Sequence, residues 1–331
     1  MKKITDKTVK WGIIGVGDVC EVKSAPAMNQ IADSKIEAVM RRNANKAADY
    51  AERHGIEKWY SDADELINDP FVNAIYIATP PNAHLEYTLK AAAAGKPVYV
   101  EKPMAKTHEE CKKMIRACDE ANVPLYVAYY RRALPNFLKV KSLIEEGAIG
   151  TVRMVEIRMH KPLTPDIITH QDNHWRVDPE IAGGGYFYDL ASHQLDFLDF
   201  LFGPIIKANG HSSNQAGHYK AEDIVTANFL FESGVHGTGS WCFTTGYDSN
   251  KDTTTIIGSE GEIEYVTFGS GNVVLRKNGE QETFSFEMPK HIQRPLIQQI
   301  VNDLLGKGDS PSTGVSGART NQAMEWMTDN S

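Results

Sequence analysis

The chain is short of several things, and each shortage excludes a class. Only four of its 331 residues are cysteine (Cys20, Cys111, Cys118, Cys242), with no CxxC pair and no zinc spacing. That excludes a disulfide framework and reads as reduced, mostly buried thiols of a cytoplasmic protein. Basic residues are outnumbered, 35 Lys and Arg against 43 Asp and Glu, for a formal net charge of −8. A nucleic-acid surface needs a basic field, so that partner is excluded and any anion site has to be built locally. No apolar run approaches the ~20 residues of a membrane helix, so no membrane partner is expected. The opening MKKITDKTVKWGIIGVG is basic, but its apolar stretch is short and broken by glycine; it reads as a strand rather than a signal peptide. There is no internal repeat and no low-complexity tract. What is there, 41% hydrophobic and 24% charged residues, is ordinary for a globular protein. The length suggests about two domains.

The first 128 residues alternate short apolar runs with helical stretches. VKWGIIG, KIEAVM, NAIYIATP, PVYVEKP and PLYVAYY read as strands, with NANKAADYAERHG, AHLEYTLKAAAAG and THEECKKMIRACDEANV as helices between them. Continuous apolar strands separated by helices predict a parallel sheet covered on both faces. After Tyr130 the pattern changes. A helix from Pro135 to Gly147 leads into runs that alternate apolar and polar residues, from TVRMVEIRMH to ETFSFEM, with short turns between them. These predict a large, mostly antiparallel sheet with one face covered. The expected fold class is therefore α/β: a dinucleotide-binding domain over residues 1–128 and an α+β domain over 129–331. A late helix is expected over 290–305.

Gly15-Val16-Gly17-Asp18-Val19-Cys20 follows the first strand and opens a helix. This is one residue off the dinucleotide fingerprint, in which the first glycine allows the tight turn and the second lets backbone approach a pyrophosphate. Cysteine is small enough to serve in the third place. A site for NAD normally carries an acid at the tip of the second strand to bind the ribose 2′-hydroxyl. Here Arg41-Arg42-Asn43 occupy the tip, with Lys46 close behind and Glu37 back inside the strand. Guanidiniums suit a 2′-phosphate, so NADP(H) is favoured over NAD(H). Glu101-Lys102-Pro103 ends the fifth strand, at the sheet edge where ligands of open α/β folds collect. Lys102 there is a candidate for polarising a substrate oxygen.

The stretch GGGYFYDLASHQLD (183–196) carries Asp189, His193 and Asp196 at helical spacing behind three glycines. By itself it fits a core histidine, a metal site, an acid/base pair or a capped surface helix. A metal would need another ligand, and none lies at fixed spacing, so no metal is assigned.

Taken together, GVGDVC, ATPPNAH (78–84), EKP (101–103), Trp175-Arg176 and GGGYFYDLASHQLD resemble the glucose–fructose oxidoreductase / inositol dehydrogenase family in order and spacing over nearly the whole chain. The resemblance implies a Rossmann domain followed by an α/β domain whose open sheet makes a homodimer or homotetramer. It implies a sugar, keto-sugar or polyol substrate, and a nicotinamide facing Lys102, Asp189 and His193, with His193 as acid/base. It carries Thr79, Pro80, Asn82, His84, Glu101, Trp175 and Arg176 over as cofactor contacts beside Gly15, Val16, Gly17, Asp18, Val19, Arg41, Arg42 and Lys46. The Lys-Pro bond is often cis in such proteins. Asp196 is assigned a supporting role. Tyr130 and Arg131 fall where many members have Asn or His, and with His174 and Asp189 they are the substrate candidates. Two other classes stay open: an NAD-dependent glycosidase, in which hydride leaves and returns within one cycle, and a sugar- or cofactor-sensing regulator without turnover.

Overall fold

The computed structural model describes residues 1, 3–163 and 175–329. The chain forms two compact units, one of residues 1–133 with 289–318 and one of 134–288 with 319–331.

The first unit is built on a six-stranded sheet. Its strands are β1 (Val9–Ile14), β2 (Ser34–Met40), β3 (Lys58–Tyr60), β4 (Ala74–Ile77), β5 (Val98–Val100) and β6 (Leu125–Val127). Every pairing is parallel, in the order β3-β2-β1-β4-β5-β6. Each strand is returned to the same edge by a helix: α1 (Asp18–Val22) and α2 (Ala25–Gln30), α3 (Ala44–His54), α4 (Ala63–Asn68), α5 (His84–Ala93) and α6 (His108–Glu120). The single helix expected after the glycine turn is thus two short ones, broken before Pro26.

Local chemistry sets the helix ends. Asn43 caps α3 by accepting from the Lys46 amide, Gly55 ends it at φ 65°, and Thr107 caps α6 by accepting from the Glu110 amide. Ile14, Ile75, Ile77, Val98, Val100 and Val127 are fully buried between the helix layers. Each such side chain contributes about 1.5–3 kcal/mol through burial. Continuous apolar runs follow from having no solvent face.

The second unit opens with α7 (Pro135–Glu145) and β7 (Val152–His160) and continues through α8 (Pro179–Ala182) and α9 (Ser192–Phe202). Then come β8 (Ile205–Ser213), β9 (Ile224–Phe231), β10 (His236–Cys242), β11 (Lys251–Gly258), β12 (Gly261–Tyr265), β13 (Val273–Lys277) and β14 (Glu280–Phe284). The eight strands form one sheet in the order β14-β13-β12-β11-β7-β10-β9-β8. All pairs are antiparallel except β10 with β7. One face carries Val155, Ile157, Met159, Trp241 and Tyr265, all buried. Phe137 of α7 and Phe197 of α9 pack there edge-on to each other at 4.7 Å and to Tyr265 at 5.6 and 5.8 Å. The opposite face exposes Arg158, Thr226, Asn228 and His236, which is the alternation read from the sequence.

The late helix α10 (Arg294–Leu304) is followed by α11 (Gly314–Thr328). A single boundary near residue 128 was expected, whereas the division falls after Ala133 and residues 289–318 rejoin the first unit. Hydrogen bonds explain the return: Ser312 Oγ donates to Val127 O at 2.7 Å, and Thr313 bridges Tyr126. Glycines at 314 and 317 let α11 lie close to Leu125 and Val127.

Candidate functional site

In the first unit, the site residues gather on the loops that leave the carboxyl ends of the strands. Gly15 follows β1 with φ +94°, and a Cβ there would lie 2.7 Å from Thr79 Cγ2 and 3.0 Å from the Ala78 carbonyl carbon. Only glycine fits both the backbone and the space. Gly17 is extended and faces open space. The helical ladder begins with the Cys20 and Glu21 amides on Gly17 O, so the amides of Asp18 and Val19 precede it, as the first amides of a helix do. Cys20 takes the place of the third fingerprint glycine and is fully buried. Burial pushes its thiol up to about 12, so it is a packing group and not a thiolate.

At the tip of β2, Arg41 Nη1 donates to Val16 O at 3.1 Å and so ties the guanidinium to the glycine turn. Arg42 and Lys46 are exposed, and neither makes an ion pair among the described residues. Glu37 is occupied by Lys35 at 2.6 Å and Lys58 at 3.4 Å. No acid is therefore poised for a ribose hydroxyl at this tip, while positive charge is. Thr79, after β4, buries an Oγ1 that has no hydrogen-bond partner among the described residues. The narrow turn and the open ground beside Gly17 together fit a dinucleotide.

Pro80 precedes a short 3₁₀ turn, Pro81–Ala83, in which Asn82 is exposed. His84 requires a correction. It was expected to contact the cofactor, but it is fully buried and both ring nitrogens face the chain's own carbonyls. Nε2 lies 2.8 Å from Thr79 O, and Nδ1 lies 3.2 and 3.1 Å from Pro103 O and Met104 O. Burial lowers the imidazole pKa by more than these carbonyls raise it; a neutral ring donates from one nitrogen only, so it hydrogen-bonds one of the two loops and packs against the other.

The Lys102–Pro103 bond is cis. Lys102 is half-exposed, and its amide donates to Glu101 Oε2 at 3.2 Å. Glu101 is buried, with Oε1 accepting from Tyr76 at 2.7 Å. After β6, Tyr130 and Arg131 are both buried, the guanidinium 5.0 Å from the ring centroid. Burial alone would raise the Tyr130 phenol, but the charges of Arg131, Lys23 and Lys102 outweigh it and hold the phenol below the ordinary tyrosine range.

In the second unit, the triple glycine is explained by packing. Gly183 ends α8 at φ 86°. A Cβ on Gly184 would meet the Tyr188 ring at 2.1 Å, and one on Gly185 would meet Ala221 at 2.7 Å. The run Phe187–Ala191 is a π-helical turn that passes into α9 at Ser192. Asp189 and His193 were expected on one continuous α-helix; Asp189 instead sits in the π turn, a feature that recurs at functional sites.

Arg176 Nε lies 3.5 Å from Asp189 Oδ2, and its guanidinium stacks 4.4 Å over Trp175. The sequence names these three residues but not their pairing, which spans thirteen positions. His193 is buried, its ring edge-on to Phe268 at 5.7 Å. Asp252 holds Phe268 in place by accepting the Thr267 and Phe268 amides at 3.1 and 2.8 Å. Asp196 is fully buried on α9. Lys102 belongs to the first unit, and Trp175, Arg176, Asp189 and His193 to the second. His174 lies outside the described residues. Among the described residues, no three His, Cys, Asp or Glu side chains group as a metal site requires. No helix among them is long and apolar enough to cross a membrane.

Comparison with known proteins agrees with this picture. Residues 9–129 match the model of an oxidoreductase family with an NAD-binding Rossmann fold, and 137–264 match the GFO/IDH/MocA C-terminal domain. Oxidoreductase P35 of Formosa agariphila is 39% identical over 97% of this chain and 98% of its own length. The 1,5-anhydro-D-fructose reductase of Ensifer adhaerens is 28% identical over 93% and 92%. A levoglucosan dehydrogenase in complex with NADH and levoglucosan superposes with a TM-score of 0.86 over 97% of this chain and 96% of that one, at 24% identity.

Proposed function

The chain belongs to the GFO/IDH/MocA family of NAD-binding oxidoreductases, and from that premise we propose that it moves hydride between NADP(H) and a sugar, keto-sugar or polyol. The observation that carries the reading is the line of chemistry along one sheet edge. The glycine turn follows β1, two arginines follow β2, Thr79 follows β4 and Lys102 follows β5. Ligands of open parallel sheets bind at this edge where the strand order reverses, here between β1 and β4. Relatives named for anhydrofructose and levoglucosan support a polyhydroxylated substrate.

The dinucleotide, when bound, supplies or accepts the hydride. Backbone of the turn 15–19 holds its pyrophosphate, and Arg41, Arg42 and Lys46 take the 2′-phosphate. Lys102 hydrogen-bonds the reacting substrate oxygen and stabilises negative charge as the carbon changes oxidation state. In the second unit, His193 is the acid/base group, giving a proton to substrate in reduction and taking one in oxidation, the role for which imidazole is most often used. Asp189, held by Arg176, orients substrate hydroxyls, and Tyr130 and Arg131 contribute to the substrate wall. The exposed face of the second unit's sheet is the surface through which copies of the chain associate.

The test is a panel of carbonyl sugars and polyols followed at the nicotinamide absorbance band, with His193→Asn beside the wild type. Net cofactor turnover is expected, and His193→Asn should lower it by about 10²–10⁴-fold with NADPH binding intact. Near-wild-type turnover in that variant removes the proton role. Bond cleavage without net cofactor change replaces the reading with glycosidase chemistry.

A further inference from the structure

The turn that carries Lys102 is supported from a distant part of the chain. Glu101 is 7% exposed and makes no ion pair among the described residues. Its donors are neutral. Tyr76 OH and Gln293 Nε2 each reach Oε1 at 2.7 Å, and the Lys102 amide reaches Oε2 at 3.2 Å. Gln293 stands 192 residues further along, is 1% exposed, and accepts from Tyr99 OH at 2.9 Å through its own Oε1.

The direction of every bond is forced. A carboxylate only accepts, so the glutamine must turn its amide nitrogen toward Glu101 and its oxygen toward Tyr99. Both phenols are held well above the usual tyrosine range, by burial first and then by the charge of Glu101, so they donate and stay neutral. The two rings stack at 4.9 Å on adjacent strands. The segment bearing Gln293 also grips the helix that follows the glycine turn. Gln293 N donates to Lys23 O at 3.4 Å, and His291 Nδ1 donates to Val22 O at 2.7 Å.

We infer that Gln293 is a positioning residue for Lys102, acting through Glu101. It fixes the rotamer in which one carboxylate oxygen faces the Lys102 peptide, so the lysine's starting point is set by a side chain that touches neither substrate nor cofactor. This inference rests on Lys102 having the role proposed above.

Gln293→Glu tests it, because the new side chain is isosteric and titrates. Ionised, it sets a second carboxylate against Glu101, and two adjacent buried carboxylates cannot both hold charge. Protonated, it donates to Glu101 and accepts from Tyr99, as glutamine does. Its kcat is therefore expected within about threefold of wild type near about pH 6 and at least about tenfold lower near about pH 9, with the NADPH Kd changed less than about threefold. Gln293→Leu is expected to be low at every pH.

A second readout uses cofactor-free protein with ¹³C-dimethylated lysines, the Lys102 resonance being identified by its absence in Lys102→Arg. In Gln293→Glu that resonance should move with the same midpoint as kcat, a transition wild type lacks. If it does so while Lys102→Met turns over like wild type, positioning stands and the catalytic reading of Lys102 fails. The inference is overturned if the resonance is identical in wild type, Gln293→Glu and Gln293→Leu across the pH range with all three folded. It is equally overturned if both variants lose kcat and Tm in parallel with no midpoint.

Discussion

Replacing Arg42 by alanine separates recognition of the 2′-phosphate from recognition of the rest of the dinucleotide. Arg42 is exposed and bonded to nothing else among the described residues, so its loss leaves the fold untouched. Hydrogen bonds to charged groups contribute about 1.5–3 kcal/mol, and solvent places an exposed guanidinium at the lower end. About 1.5 kcal/mol corresponds to roughly tenfold in affinity. The expected result is an NADPH Kd about tenfold higher in Arg42→Ala, with the NADH Kd unchanged.

Arg41 behaves differently, because Nη1 also holds Val16 O at 3.1 Å. Arg41→Ala should therefore weaken both dinucleotides, and the double variant should bring the two Kd values close together. Titration of nicotinamide fluorescence at two salt concentrations reads each of these Kd values. The NADPH advantage should shrink with added salt, since surface charge is screened over ~10 Å at 0.1 M. Wild type binding NADH more tightly than NADPH, or Arg42→Ala leaving the ratio alone, would refute the reasoning.

Three other outcomes follow from the same structure. Gly15→Ala forces a Cβ against Thr79 and the Ala78 carbonyl at a positive φ; it should cost about 1–3 kcal/mol in chemical unfolding and abolish dinucleotide binding. Asp69 is held below the usual carboxylate range: burial opposes this, but the Phe71 amide, Lys58 and Tyr60 outweigh it. A depressed folded pKa stabilises above the unfolded value and loses that contribution as pH falls, so Asp69→Asn should cost about 1–3 kcal/mol at pH 7. The gap to wild type should narrow as pH falls below the ordinary value of 3.8 toward the depressed folded one, and a gap constant with pH contradicts the assignment. Asp199 is buried and bonded by Arg319 through both oxygens at 2.6 and 2.7 Å. Arg319→Ala, which removes both of these hydrogen bonds from a buried carboxylate, should cost about 2–3 kcal/mol and lower Tm by roughly 4–10 °C; an unchanged Tm in calorimetry refutes it.

The parts of this molecule legible in the sequence are those where backbone geometry dictates residue type. VKWGII and NAIYIATP had to be strands buried on both faces, because continuous apolar runs of that length leave no polar face for solvent. Gly15 had to sit in a turn, and its φ of +94° is the reason. The alternation in β7 and β9 foretold which side of the second sheet is bare. Less visible were β8, whose IIKANGHSS has a weak period, and α11, whose GVSGARTNQAMEWMT carries two glycines. Those glycines lower helix propensity but let the helix approach Leu125 and Val127. There, tertiary packing overrides local preference.

Candidate residues were legible as types and positions, but their partners were not. His84 followed the paired prolines in the ATPPNAH motif and was expected to meet a ligand. The fold instead buries it between the carbonyls at 79 and at 103–104. Gln293 carried no signal at all, for a glutamine before RPLIQQI is unremarkable until Tyr99 and Glu101 are brought against it. A side-chain hydrogen bond has no period and leaves no trace in spacing, since its two ends lie on elements whose proximity is decided by the whole core. The glycine loop and the lysine turn are each short enough to be recognised by residue type, but holding them in a fixed relation takes groups supplied from elsewhere. Here that support is drawn from residues 291–293, and a substitution in so plain a stretch should therefore disturb chemistry that a motif search would locate almost two hundred residues away.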